Sequence, residues 1–173
     1  MEPDPVRITA GTEDDLPAIV AILNHAAAHS IASFDTRPAS VADRRDWLGQ
    51  FGPAGPYQLL VARRGDRALG YACTQRYRDH EAFQETVEVS VALDTGSRGQ
   101  GIGTQLYREL FSRLAGAPVH VMLAGIALPN DASVALHRKF GFTEVGIFRE
   151  YAVKNGQYLS SVWMQRLCQP GSG

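Results

Sequence analysis

The sequence predicts an α/β fold built on a mixed, mostly antiparallel central sheet with flanking helices. Three observations carry that expectation. Between Tyr57 and Leu93, β-rich runs follow one another with short breaks, as in an antiparallel meander. A glycine turn then opens an amphipathic helix. After it comes a nearly continuous apolar run, Val119 to Ile126, as expected of a strand buried on both faces and reached by a helical crossover, so part of the sheet is parallel. The chain then closes on two strand-like runs around Asn155-Gly156, a hairpin dipeptide.

Val6 to Ala10 alternates apolar and polar residues like a strand, and Thr12 reads as an N-cap with Glu13, Asp14 and Asp15 crowding the first turn of a helix. Leu16, Ile19, Val20 and Leu23 fall at helical spacing and supply its buried face. Ser30 to Pro38 is an irregular loop carrying Phe34. Ser40 caps a shorter helix that ends with Trp47, Leu48 and Phe51 before the breaker cluster Gly52 to Pro56.

Tyr57 to Arg63 and Ala68 to Tyr77 form the first hairpin, joined by Arg64-Gly65-Asp66-Arg67. Thr86 to Leu93 continues the meander with Val87, Val89, Val91 and Leu93 on one face and Glu88, Ser90 and Ala92 on the other. Ile102, Leu106, Leu110 and Leu114 recur every four residues along the next helix, with Gly116 as its terminator. A short helix from Ala132 to Phe140 ends at Gly141, and Thr143 to Val153 and Tyr158 to Leu167 make the closing hairpin. Residues 1–168 read as one domain, and 169–173 as a loose Pro/Gly/Ser tail.

Composition narrows the function classes. At 173 residues and 45% hydrophobic content the chain fits one domain with an ordinary core. A formal charge of −1 and a pI near 6.5 give no global field that would favour nucleic acid or an anionic membrane surface, so any anion must be held locally. Cys73 and Cys168 are too few for a disulfide framework or a metal knuckle, which fits a reducing compartment, with the cytoplasm as the default. The first twenty residues lack the pattern of a signal peptide, and no apolar run is long enough to span a membrane. His25 and His29 have a metal-compatible i, i+4 spacing but no HExxH glutamate and no obvious third ligand; a solvated helix face and no bound metal are the expectation.

The turn Arg98-Gly99-Gln100-Gly101-Ile102-Gly103 lies where a strand breaks and a helix begins. Several backbone N–H groups, with no Cβ in the way, converge there on the positive end of a helix dipole, which suits a phosphate. Gly99, Gly101 and Gly103 permit close approach, and Arg98 and Thr104 add a charge and a hydroxyl. A tight turn with no ligand is the plain alternative. GxxxxGK[ST] is absent, and a dinucleotide GxGxxG would need glycine where Thr104 stands.

This turn matches the [QR]xxGx[GA] signature of the GNAT superfamily of N-acetyltransferases, and the order of elements from Val6 to Leu167 resembles that superfamily's acyl-CoA N-acyltransferase fold, with splayed middle strands. Three segments are similar to the phosphinothricin and methionine sulfoximine N-acetyltransferase branch: Ile31 to Pro38 (TAxFxxxP), Thr86 to Val91 (TVExSV) and Asn130 to Phe142 (NxxSxxLHxxxGF). Ala92 stands where that branch commonly has an aromatic, and Ser160 and Ser161 where it often has an Asp. The resemblance implies acetyl-CoA as co-substrate, a small amine such as an amino acid or its analogue as acceptor, direct transfer in a ternary complex, and a homodimer. Other GNAT acceptors, a protein N-terminus or a polyamine, and a non-catalytic acyl-CoA sensor remain as alternatives.

Acetyl transfer to an alkylammonium needs a base for its proton, a polarised carbonyl and a partner for the departing thiolate. Glu88 lies thirteen residues before Gly101, the offset at which the branch places its base. An exposed strand carboxylate is the plain alternative, and Glu85 the nearest competitor. By resemblance, the backbone of Val91, Ala92 and Leu93 bonds the pantetheine arm and polarises the acetyl carbonyl. Arg98, Gly99, Gln100, Gly101, Ile102, Gly103 and Thr104 hold the pyrophosphate. Asn130 bonds the pantetheine or a water, or else caps its helix, and Ser133 contributes nearby. His137 occupies the place of the usual tyrosine acid: it protonates or bonds the sulfur, bonds substrate, or is a satisfied structural histidine. Tyr107 is a weaker alternative for the acid. Phe34, Arg78 and His80, with Val87 and Val89 beside Glu88, frame the acceptor, and Arg78 suits a carboxylate.

Overall fold

The computed structural model describes residues 4–168. The tail expected at 169–173 lies outside the described residues. Seven strands form one sheet: β1 (Arg7–Ala10), β2 (Gln58–Arg64), β3 (Arg67–Arg76), β4 (Thr86–Leu93), β5 (Val121–Leu128), β6 (Thr143–Lys154) and β7 (Gln157–Leu167). Their order is β1-β2-β3-β4-β5-β7-β6. Every neighbouring pair is antiparallel except β4 and β5, which the helical crossover makes parallel.

Four α-helices flank the sheet: α1 (Leu16–His29), α2 (Val41–Leu48), α3 (Ile102–Arg113) and α4 (Asp131–Lys139). The capping chemistry behaves as the letters suggest. Thr12 N–H donates to the Asp15 carboxylate at 2.8 Å, and Ser40 forms a full capping box with Asp43. Asp15 also pairs with Arg63, which ties the start of α1 to β2. On α1 the fully buried positions are Leu16, Ile19, Val20 and Ile22; Leu23, expected among them, is half-buried.

Two apolar layers sandwich the sheet. On one side Ile102, Leu106, Tyr107 and Leu110 of α3 pack on Leu60, Ala72, Val87, Val89, Met122 and Ala124. On the other, Ile19, Trp47 and Phe51 cover Leu59, Val61, Tyr71 and Cys73. β5 departs from the sequence expectation. It begins at Val121 rather than Val119, and its burial alternates, with Gly125 exposed on the face that borders a cleft. The closing hairpin turns at Asn155 and Gly156, both at positive φ (50° and 75°), so the two-residue turn falls where the dipeptide places it.

Candidate active site

β4 pairs with β3 from Val87 to Leu93 but with β5 only at Thr86, Val87 and Glu88. β5 meanwhile pairs with β7 along its whole length. From Val89 onward the two parallel strands therefore separate, and alternate peptide groups on their facing edges are left without a ladder partner. The splay expected in the middle of the sheet is present. A cleft of about 590 Å³ opens through it. Its lining includes Val89 to Leu93, Ala124 to Ala127, Arg98, Gly99, Gly103, Asn130, Ser133 and His137. Ser30 to Ser33 of the irregular loop form part of another wall.

The glycine turn stands at one end of this cleft. Gly101 is the N-cap of α3 with φ +74°, Gly99 has φ +72°, and no side chain caps the helix. A Cβ on either glycine would meet nothing within 4 Å, and no side chain takes the first-turn N–H groups of α3. Gly103 differs: a Cβ there would lie 3.2 Å from Leu136 Cδ2, so its missing side chain lets α4 approach α3. Ile102 is wholly buried and offers a ligand only its backbone. Gln100 staples the loop, donating to the Gly96 carbonyl at 2.8 Å and accepting from Arg64 at 3.2 Å. Arg98 is exposed beside the cleft and free to meet an anion, with the half-buried Thr104 one turn along. Unpaired strand edges followed by an uncapped, glycine-lined helix start fit an extended ligand that ends in a pyrophosphate.

Glu88 is the last β4 residue paired with β5 and so sits where the strands part. It is half-buried on the face opposite Val87 and Val89, and its carboxyl has no hydrogen-bond partner among the described residues. Burial alone raises its pKa above the usual 4.5. Its cross-strand partner Gln75 accepts from Trp47 Nε1 at 3.2 Å, so α2 closes over this region. Nearby Cys73 is buried and its thiol is pushed up to about 12, first by burial and then by the Glu88 charge.

His137 is 3% exposed, and both its ring nitrogens are engaged. Nδ1 lies 2.7 Å from the Ser133 carbonyl oxygen and must donate to it; Nε2 then accepts from the Tyr107 hydroxyl at 2.8 Å. Burial lowers the His137 pKa, and the Ser133 carbonyl partly opposes that. The structure thus joins the two side chains weighed for the acid into one buried pair. Asn130 caps α4 by accepting from Ser133 N–H at 3.2 Å, while its amide nitrogen remains available at the cleft wall.

The remaining expected residues scatter. Val87 is fully buried in the α3 layer, and Val89 is largely so. Arg78 is exposed and stacks on Tyr77 and Phe83, and His80 caps a short 3₁₀ turn by accepting from Ala82 N–H at 3.0 Å. Neither lines the cleft, and Glu88 and Phe34 are each next in sequence to a lining residue, Val89 and Ser33, without being in the lining themselves. Phe34 packs edge-on against Tyr151 of β6, with ring centroids 5.8 Å apart. Tyr151 is exposed at a bulge where Glu150 has φ +49°, and its hydroxyl accepts from buried Ser161 at 2.8 Å. Sequence reasoning noted Ser161 only as a departure from the branch and missed Tyr151 and the buried Lys154, because a strand pattern does not reveal a bulge. Among the described residues, no group of three or more His, Cys, Asp or Glu could hold a metal, and no helix is long and apolar enough to cross a membrane.

The profile of the Acetyltransferase (GNAT) family matches residues 21–142. A phosphinothricin N-acetyltransferase of Streptomyces coelicolor is 40% identical over 163 residues, covering 93% of this chain and 95% of its own. The L-methionine sulfoximine/L-methionine sulfone acetyltransferase of Pseudomonas aeruginosa is 37% identical, covering 90% of this chain and 91% of its own. Among solved structures, yncA of Salmonella typhimurium with its cofactor acetyl-CoA superposes with a TM-score of 0.90 at 30% identity, over 98% of each chain. The splayed strands, the open helix start and these relatives agree: the chain belongs to the GNAT family and is an acetyl-CoA-dependent N-acetyltransferase.

Proposed function

We propose that the enzyme acetylates the amino group of a small amino-acid-like acceptor, such as phosphinothricin or methionine sulfoximine or sulfone, by direct transfer within a ternary complex. Bound acetyl-CoA would supply the acetyl group. The observation that carries the reading is Glu88, a half-buried, unpartnered carboxylate at the point where β4 and β5 separate. Its raised pKa makes it a better proton acceptor for an alkylammonium than a surface glutamate, directly or through one water. The unpaired β4 edge at Val91, Ala92 and Leu93 supplies N–H donors for the pantetheine arm and acetyl oxygen, and Arg98 with the Gly99–Thr104 backbone holds the pyrophosphate. Asn130 and Ser133 meet the pantetheine from the α4 side. His137 keeps α3 and α4 in register at the cleft wall through Tyr107.

The loop residues Ser30 to Ser33 support an acceptor wall on the side of the cleft away from α4, and the relatives' named substrates support the amino-acid class. We also infer a homodimer, supported by the exposed apolar residues Val145, Phe148, Tyr151 and Val153 along the β6 edge and Tyr158 at the start of β7. The free thiols of Cys73 and Cys168 support a reducing, cytoplasmic setting. Thiol release from acetyl-CoA, followed across a panel of amines, tests the reading. Saturable turnover with phosphinothricin or methionine sulfoximine is expected. Turnover only with polyamines or peptide N-termini would overturn the acceptor class.

A further inference from the structure

Lys154 ends β6, beside the hairpin turn, where a lysine ordinarily reaches into solvent. Here it is 5% exposed between exposed neighbours, Val153 and Asn155. Its Nζ donates to the backbone carbonyls of Ser30 at 2.8 Å and Ser33 at 2.7 Å, more than a hundred residues away in sequence. It takes part in none of the ion pairs among the described residues. Burying an ammonium is costly unless its donors are matched, and an unpaired one is rare. Two carbonyl acceptors in one irregular loop therefore make that loop's conformation and the lysine's burial depend on each other.

The loop is the one that lines the cleft. Ser30, Ile31, Ala32 and Ser33 form part of its wall, and Phe34 follows them. Its far end is fixed separately, where the Asn24 side chain accepts from Ala39 N–H at 2.8 Å and donates to the Ala39 carbonyl at 2.9 Å. Among the described residues, the other contacts holding the stretch from Ser30 to Phe34 are the Ser30 N–H bond to the Ala26 carbonyl, local serine turns and the Phe34–Tyr151 ring contact. Tyr151 and Lys154 come from the same end of β6, so one strand grips the loop at two points.

We propose that Lys154 is a positioning residue for the acceptor: its ammonium fixes the Ser30–Ser33 wall of the cleft and thereby sets acceptor affinity, without touching the reacting atoms. This rests on the N-acetyltransferase reading above. Acetyl-CoA, held by the separate β4 edge and glycine turn, does not depend on the clamp.

The test is steady-state kinetics of Lys154→Met and Lys154→Arg, with phosphinothricin and methionine sulfoximine as acceptors, alongside chymotryptic cleavage after Phe34 followed by mass spectrometry. Lys154→Met should raise the acceptor KM about tenfold or more, as expected for loss of hydrogen bonds from a charged donor, with kcat and the acetyl-CoA KM within about threefold. Cleavage after Phe34 should speed up about fivefold or more as the loop opens locally. Lys154→Arg, which keeps the charge, should recover part of both effects. The proposal is overturned if the acceptor KM and the cleavage rate both stay at wild-type values, or if all kinetic constants worsen together with the melting temperature. Should Lys154→Met not fold, Lys154→Arg and Lys154→Gln carry the same comparison. Absence of wild-type turnover on every amine would count against the enzymatic reading, while the cleavage measurement would still decide whether Lys154 holds the loop.

Discussion

The Tyr107 hydroxyl and His137 Nε2 lie 2.8 Å apart between α3 and α4, with the other ring nitrogen given to the Ser133 carbonyl. The imidazole is thereby a neutral tautomer whose only N–H points into its own helix. Its lowered pKa means that the stability it contributes is complete above the ordinary value of 6.5 and is lost as pH falls through the folded-state value.

Tyr107→Phe removes the donor and leaves a buried nitrogen unsatisfied, at a cost of about 1–3 kcal/mol in unfolding free energy. Thermal melts of this variant should show that loss, while kcat stays within about threefold of wild type at a temperature where both are folded. A drop in kcat of about a hundredfold with an unchanged melt would instead assign the pair a direct role in protonating the thiolate.

Gly101 and Gly99 hold positive φ values with open space where a Cβ would point, so substitution there strains the backbone without a clash. Gly101→Ala should cost about 1 kcal/mol or more of stability and weaken acetyl-CoA binding about tenfold, as measured by calorimetry, because the first-turn N–H groups rotate off the anion. Arg98→Ala should weaken binding too, and unlike the glycine variant it should flatten the salt dependence.

Glu88 makes a prediction about stability as well as rate. Its folded-state pKa is raised, so the folded protein holds the proton more tightly than the unfolded chain. That stabilisation is fully present below the usual glutamate value of 4.5 and is lost as pH rises through the folded-state pKa. Glu88→Gln escapes the loss. At pH 8 its melting temperature should equal or exceed that of wild type, and the difference should shrink toward pH 4, a stability gained at the expense of activity.

Much of this was readable in the letters where local chemistry decides structure. Asn155-Gly156 demands positive φ at both positions, and the four-residue recurrence from Ile102 to Leu114 admits one buried helix face. Glu88 could be placed opposite Val87 and Val89 by alternation alone. What alternation does not encode is where a ladder stops: the parting of β4 from β5 after Glu88 depends on how far β7 holds β5 away. Gly125 answers to its β7 neighbour instead: its cross-strand partner Trp163 lies against it so closely that a Cβ would come within 2.9 Å of the indole. Lys154 carried no local signal, because its two partners lie in a loop at the other end of the chain. Arg78 and His80 were tied to the acceptor by resemblance, and in the structure their contacts are with the aromatic cluster and turn around Phe83.

The most direct measurement is the pH dependence of kcat/KM for a saturably acetylated amine, compared between wild type and Glu88→Gln. Wild type should lose activity on the acid side with an apparent pKa above the usual glutamate value of 4.5. Glu88→Gln should fall by about a hundredfold or more and lose that acid limb. A variant that keeps the wild-type rate and the same acid limb would contradict the assignment of Glu88 as the base.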